Sequence, residues 1–210
     1  MEININCDLG ETSKFCSTEN DPLLLGIVNS ANIACGYHAG DKPTMKRTVE
    51  VSKKNGVSIG AHPSFNDPDN FGRKRLNLPP LEIKKLIIDQ INILNEIAEK
   101  DSMKVTHVKP HGALNNMACE NFDMAFAIGE SIKQYNKDLI YLILPFSEME
   151  KAAQKLQINY ACEIFADRNY EDNGHLISRS NPNAIIKSEQ VAAENIIEML
   201  NNSAIKCFSG

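Results

Sequence analysis

The sequence predicts a single α/β domain over residues 1–210, with short parallel strands alternating with helices around a closed or nearly closed β/α barrel. Three observations lead there. Apolar stretches of about five residues alternate with helical stretches along the whole chain, the pattern of parallel βαβ units. Five of the six strand stretches finish on ionisable or metal-capable side chains, the fifth strand ending instead on Leu144-Pro145-Phe146. An open sheet would gather such ends at one switch point, whereas a barrel spreads them around its mouth. The glycine-rich fingerprints of dinucleotide and P-loop sites are absent, so the strand ends carry some other chemistry.

In order, Ile3 to Cys7 reads as the first strand, running into Asp8-Leu9-Gly10-Glu11. Asp21 to Asn29 looks helical, and Ser30 to Cys35 is the second strand. Lys42 to Asn55 is a helix stopped by Gly56, a usual C-terminal signal. Val57 to Ala61 is the third strand, ending in His62-Pro63-Ser64-Phe65, followed by a polar loop rich in Asn and Asp. Leu81 to Lys100 places Ile83, Leu86, Ile87, Ile91, Leu94 and Ile97 near helical spacing. Val105 to Val108 is the fourth strand, before Lys109-Pro110-His111-Gly112. The helix Phe122 to Tyr135, strand Leu139 to Leu144, helix Ser147 to Leu156, strand Tyr160 to Phe165 and helix Ser188 to Asn201 complete the chain.

Composition narrows the partners. At 210 residues, 42% hydrophobic and 23% charged, the chain has the makeup of a soluble globular domain able to bury one large core. A formal net charge of -5 argues against nucleic acid or an anionic membrane as a main partner. No apolar run approaches the roughly 20 residues that span a bilayer. Met1-Glu2 leads directly into a strand pattern without a signal segment, so a cytoplasmic protein is expected. The six cysteines contain no CxxC pair and read as reduced thiols, with Cys7, Cys35 and Cys162 as buried fillers.

The stretch Asn32 to Asp41 concentrates the functional signal. Gly36 and Gly40 permit sharp turns that set His38 and Asp41 on a compact loop just past a strand. The same layout recurs, and together the strand ends supply Asp8, Glu11, His38, Asp41, His62, Lys109, His111, Asp167 and Arg168. Each has an ordinary alternative. Asp8 could be a turn residue, Glu11 a solvated acid and Asp41 a helix cap before Lys42-Pro43. His62 could satisfy backbone groups, Lys109 could snorkel, and Asp167-Arg168 could be a local ion pair. His107 shares a strand face with Lys109 by period two and so can line the interior.

The motifs Asn6-Cys7-Asp8-Leu9-Gly10-Glu11, Asn32 to Asp41, Gly60 to Phe65, Phe71-Gly72-Arg73, Val108 to Leu114 and Glu163 to Arg168 occur in that order. With the later Gly174 to Ser180, they resemble the LamB/YcsF family, the A subunit of bacterial ATP-dependent 5-oxoprolinase, from Ile3 to about Gly210. The resemblance implies an irregular seven-stranded-type (β/α) barrel of the glycoside hydrolase/deacetylase kind. It implies cleavage of 5-oxo-L-proline to L-glutamate with ATP as co-substrate, in complex with the B and C subunits. Asp8, Glu11, His38, Asp41, His62, Lys109 and His111 would then be catalytic, and Asn32, Arg73, Glu163, Asp167 and Arg168 would bind substrate. The chain departs from the family in having Asn115 in place of Tyr and Thr12 in place of Gly. It also stops before the family's last strand, with its His-Gly-Asp ending, and the closing helix.

The five-membered amide of 5-oxoproline is unstrained, so its opening needs coupling. Phosphorylation of the amide oxygen makes the ring carbon electrophilic; water attack then needs a base, and the ring nitrogen an acid. Asp8 or His62 is expected as base, His111 or His38 as proton donor, with Lys109 and Arg168 stabilising negative charge. Two alternatives stay open. One is a metal-dependent deacetylase using Asp8, His62 and His111; the other is an inactive, shortened relic that serves only for binding.

Overall fold

The structure, a computed structural model, describes residues 3–209. Met1, Glu2 and Gly210, at the ends of the expected domain, lie outside the described residues. Six parallel strands stand side by side in chain order: β1 (Asn6–Leu9), β2 (Ser30–Ala34), β3 (Ser58–His62), β4 (Val105–Val108), β5 (Ile140–Ile143) and β6 (Tyr160–Cys162). Seven α-helices connect or flank them: α1 (Asp21–Leu24), α2 (Lys42–Asn55), α3 (Pro80–Lys100), α4 (Gly112–Glu120), α5 (Phe122–Tyr135), α6 (Glu148–Leu156) and α7 (Glu189–Asn202).

The sheet is curled into a half-barrel. In a flat sheet β1 and β6 would stand five strand spacings apart, roughly 24 Å. Here Lys109, just past β4, reaches Asn6 on β1 at 3.4 Å and Glu163, just past β6, at 3.0 Å. Among the described residues β1 and β6 share no ladder, so the barrel is open between them. The C-terminal tail does not fill that opening by pairing with β1; Cys207 instead bridges to Tyr170.

Local chemistry accounts for the best-placed elements. The Asp41 carboxylate caps α2 by accepting from the Thr44 N–H at 2.8 Å, and Gly56 closes the helix at φ +69°. α3 turns Ile83, Leu86, Ile87, Ile91, Leu94 and Ile97 to the core, as their spacing predicts. β2 is buried at every residue, consistent with a strand covered on both faces.

Five expectations shift. β1 starts three residues later than expected, because Leu9 fills the core while Ile3 and Ile5 stay half exposed. The helix expected over 21–29 keeps only Asp21–Leu24 before breaking into turns around Gly26. α4 is an additional helix; it begins directly after His111, where Gly112 takes φ +55°. β6 ends at Cys162, beyond which the chain leaves the ladder. Of the expected buried thiols, Cys35 is buried, Cys7 is half-buried and Cys162 is exposed on the sheet edge.

Candidate active site at the mouth of the half-barrel

Parallel strands of one sheet deliver their C-terminal ends to the same side, and those of β1 to β4 carry two interlocked polar clusters. The first is built on Lys109. Its ammonium lies 3.1 Å from Asp8 and 3.0 Å from Glu163, and all but a small part of it is buried. Burial works against the charge, but Asp8 and Glu163 outweigh it and hold the Lys109 pKa above its ordinary value. Burial likewise opposes the Asp8 charge, while His62 and Lys109 hold that carboxylate well below the usual range. Asn32 on β2 orients Asp8, donating to its Oδ1 at 2.8 Å and to Asn6 Oδ1 at 2.7 Å. His107 on β4 contacts the Asn32 oxygen through Nε2 at 2.9 Å.

The second cluster joins Glu11, His38, His62 and His111. The Glu11 Oε1 oxygen lies 2.9 Å from His38 Nε2, 3.4 Å from His111 Nδ1 and 3.8 Å from His62 Nε2. His62 Nε2 and His111 Nδ1 are 2.9 Å apart. The opposite ring nitrogens point away from the centre, His62 Nδ1 to the Lys109 carbonyl at 2.6 Å and His111 Nε2 to the Phe71 carbonyl at 3.0 Å. His38 Nδ1 meets Ser64 Oγ at 2.8 Å. The His38 and His111 rings stack at 3.8 Å, with Phe71 edge-on to both. Gly72 makes room for the pair, since a Cβ there would meet His38 Cβ at 2.9 Å and His111 Cδ2 at 3.0 Å.

Environment separates the three rings. Burial, then the neighbouring His62, pushes His38 and His111 down to about 3. His62 resists the same burial because Asp8 raises its pKa above the ordinary value. Burial raises the Glu11 carboxyl against the pull of His62 and His111.

A cavity of about 500 Å³ opens over these groups, with Asp8, His62, Lys109 and His111 on its floor. Arg73, Arg168 and Arg179 stand among its walls. Burial first and the Arg179 charge second lower the Arg73 pKa. Arg168 is committed to structure: its Nε donates to the Ala184 carbonyl at 3.2 Å and Nη2 to that of Ile177 at 2.6 Å.

Of the residues singled out in the sequence, Asp8, Glu11, Asn32, His38, His62, Lys109, His111 and Glu163 come together here. Asp41 does not join them; its carboxylate serves as the α2 cap. Asp167 is exposed, with its backbone carbonyl accepting from Ile186. His111 turns Nε2 to the Phe71 carbonyl, so its neutral ring presents an acceptor nitrogen to the cluster, while His38 faces a hydroxyl on one side and the Glu11 carboxylate on the other. Three supporting residues lie outside the candidate set. His107 is marked in the sequence only by its shared face with Lys109; Gly60 makes space for it, since a Cβ there would fall 2.1 Å from the ring. Gln90 brackets Ser64, accepting from its N–H at 3.0 Å and donating to its carbonyl at 2.8 Å. A glutamine on the buried face of a helix is the one signal the sequence offers for that pair.

A curled parallel sheet with carboxylates, imidazoles and an ammonium at its C-terminal mouth defines an α/β half-barrel with a candidate active site at the strand ends. The LamB/YcsF family model matches residues 3–210, and the chain belongs to that family. It is 42% identical over 211 residues to the A subunit of a 5-oxoprolinase from Nitrobacter hamburgensis, covering 100% of this chain and 83% of the relative. The corresponding 5-oxoprolinase A subunit of Clostridium beijerinckii is also 42% identical, over 209 residues, with 100% and 82% covered. Among solved structures, a lactam utilization protein from Thermus thermophilus superposes with a TM-score of 0.93 at 32% identity, covering 100% of this chain and 85% of that one.

Proposed function

We propose that the chain is the A subunit of a cytoplasmic, ATP-dependent 5-oxoprolinase that opens 5-oxo-L-proline to L-glutamate together with the B and C subunits. The observation that carries this reading is the meeting of Asp8, Lys109 and the histidine cluster beneath one cavity, in a chain 42% identical over its length to a 5-oxoprolinase A subunit. Further parts of the reading are an irregular seven-stranded-type barrel of the glycoside hydrolase/deacetylase kind and a substrate pocket walled by Arg73 and Arg168, with Asn32 and Glu163 behind it holding Asp8 and Lys109. Among the described residues, no helix is long and apolar enough to cross a membrane.

ATP transfers its γ-phosphoryl group to the amide oxygen, releasing ADP. Water adds to the ring carbon and loses a proton; the carbon–nitrogen bond then breaks as the nitrogen gains one. The resulting γ-acyl phosphate takes a second water and leaves as glutamate and phosphate. Asp8 is ionised, about one-third exposed and 3.4 Å from His62 Nε2 on the cavity floor, so the pair suits the proton transfer from water to the ring nitrogen. Lys109 lies beside Asp8 to stabilise the negative charge of the phosphoryl group carried on the ring carbon's oxygen. Arg73 and Arg179 on the rim suit the substrate carboxylate or the phosphoryl group. The test is to mix the purified chain with the B and C subunits and follow glutamate release from 5-oxoproline. Release that requires ATP and this chain supports the reading; equal release without the chain, or none with it, overturns it.

A further inference from the structure

We propose that Glu11, His38, His62 and His111 form a binding site for one divalent first-row transition ion, with zinc as the best-suited occupant. The proposal stands on the donor geometry and not on the identity of the lactam.

Two backbone carbonyls decide the key tautomers. His62 Nδ1 lies 2.6 Å from the Lys109 carbonyl and His111 Nε2 lies 3.0 Å from the Phe71 carbonyl. A carbonyl can only accept, so both of these nitrogens carry their protons. In neutral rings the other two nitrogens, His62 Nε2 and His111 Nδ1, are then lone pairs facing each other at 2.9 Å. Ser64 allows the same pattern: when its hydroxyl donates to the Phe65 carbonyl at 2.9 Å, its oxygen accepts from His38 Nδ1 at 2.8 Å. That directs the His38 Nε2 lone pair at Glu11 Oε1, 2.9 Å away. With His62 neutral and Glu11 ionised, four acceptors converge with no donor among them, an arrangement completed by a cation, either a metal ion or the extra proton of a charged His62.

The spacing suits a metal ion better than a single shared proton. A proton bridges two atoms, whereas here four donor atoms all lie within 4.8 Å of one another. Ligands about 2.1 Å from a tetrahedral ion stand roughly 3.4 Å apart. The contacts within the cluster, at 2.9, 2.9, 3.4 and 3.8 Å, scatter around that value. Each imidazole is also oriented through its outer nitrogen by a carbonyl or hydroxyl, the support that metal-binding histidines ordinarily have. Three imidazoles and one carboxylate suit zinc, cobalt or nickel and not magnesium or calcium, which favour oxygen-rich sites. The set differs from the Asp8, His62 and His111 combination of the deacetylase alternative, because Glu11 and His38 replace Asp8, whose Oδ1 is held by Lys109 and whose Oδ2 lies 3.4 Å from His62 Nε2 at the edge of the cluster.

The experiment needs no substrate. The full chain, stripped with a chelator and checked for folding by circular dichroism, is titrated with zinc and cobalt and followed by equilibrium dialysis and thermal unfolding. The expected result is one equivalent of zinc per chain, a rise in Tm, and displacement of bound cobalt by zinc. Glu11→Gln and His38→Gln should each weaken binding at least about 10-fold, while His175→Gln, half-buried on the cavity wall and outside the four-donor cluster, binds as the wild type does. Should those variants fail to fold, the cobalt spectrum of the wild type decides. Weak visible d–d bands without thiolate charge transfer support the histidine-carboxylate site; a thiolate band would place the metal on cysteines and overturn it. A folded wild-type chain that binds neither metal overturns the proposal by showing a cluster held by protons alone. Failure of lactam opening in the assembled complex would leave these binding readouts unchanged.

Discussion

β2 is buried at all five of its residues and β3 at four of five, and each leads within a few residues to a cluster histidine. β6 is exposed at all three of its residues and gives way to a long irregular segment before α7. Both regions border the same cavity, but different forces hold them. Around β1 to β4, ladder hydrogen bonds fix the backbone and side chains of adjacent strands bond to one another across the mouth. After β6, loop hydrogen bonds and side chains do the holding. Arg168 ties two stretches of loop through the Ala184 and Ile177 carbonyls, and the Tyr170 hydroxyl accepts from the Phe165 N–H at 2.7 Å. The contrast is between a rigid chemical floor and a wall that can yield.

The largest effect should come from breaking the buried charge that ties the two regions across the mouth. Lys109→Met leaves Asp8 and Glu163 facing each other without their cation, and should cost about 3–5 kcal/mol in urea unfolding. Adding Glu163→Gln should recover part of that loss; no recovery would mean that Lys109 does not bridge the floor to the β6 side.

Arg168→Ala tests the wall. Losing its charged hydrogen bonds to two carbonyls should cost about 2 kcal/mol, with new proteolytic cleavage confined to residues 166–187. Cleavage appearing equally in the β1 to β4 loops would erase the distinction between the regions. Asp41→Ala should cost only about 1 kcal/mol through loss of the α2 cap. A fall in turnover of the complex beyond what that destabilisation explains would return Asp41 to the catalytic set.

The smallest expected difference is in the shape of a pH profile. The folded-state pKa of Asp8 lies below its unfolded value, so its charge contributes stability that is fully present above the ordinary carboxylate value near 4. That contribution is lost as pH falls through the folded value. Wild-type Tm should therefore drop faster than that of Asp8→Asn below about pH 4, and the two curves should run parallel above about pH 5. Parallel curves throughout would show that Asp8 is not held ionised by its neighbours.

The contrast also explains what was legible in the sequence. Where apolar periodicity coincides with a cap and a stop, as in Lys42–Asn55 and Phe122–Tyr135, the expected and observed bounds agree. The floor residues are legible because a parallel sheet puts all strand C-termini on one side, so reading strand ends amounts to reading the site. Asp41 shows the limit of that rule, since an acid after a strand is also the favoured first cap of the next helix. Glu11 and His38 both stand out in the sequence, but their pairing depends on loop turns at Gly10, Gly36 and Gly40 that place residues 27 apart in sequence within 2.9 Å. The support from His107, Gln90 and Ser64 is hidden because isolated polar residues on apolar faces reveal their partners only in three dimensions. Between β6 and α7 no periodicity exists to read, and the Arg168 contacts to carbonyls carry no sequence signal.

The central claim is that the floor at the strand ends performs the ring opening. The most direct test is steady-state glutamate release from 5-oxoproline by the complex assembled with Asp8→Asn, a substitution that keeps size and removes the base. The account predicts loss of at least about 10²-fold in kcat with assembly of the complex unchanged. An Asp8→Asn complex that assembles normally and opens the lactam at the wild-type rate would contradict it.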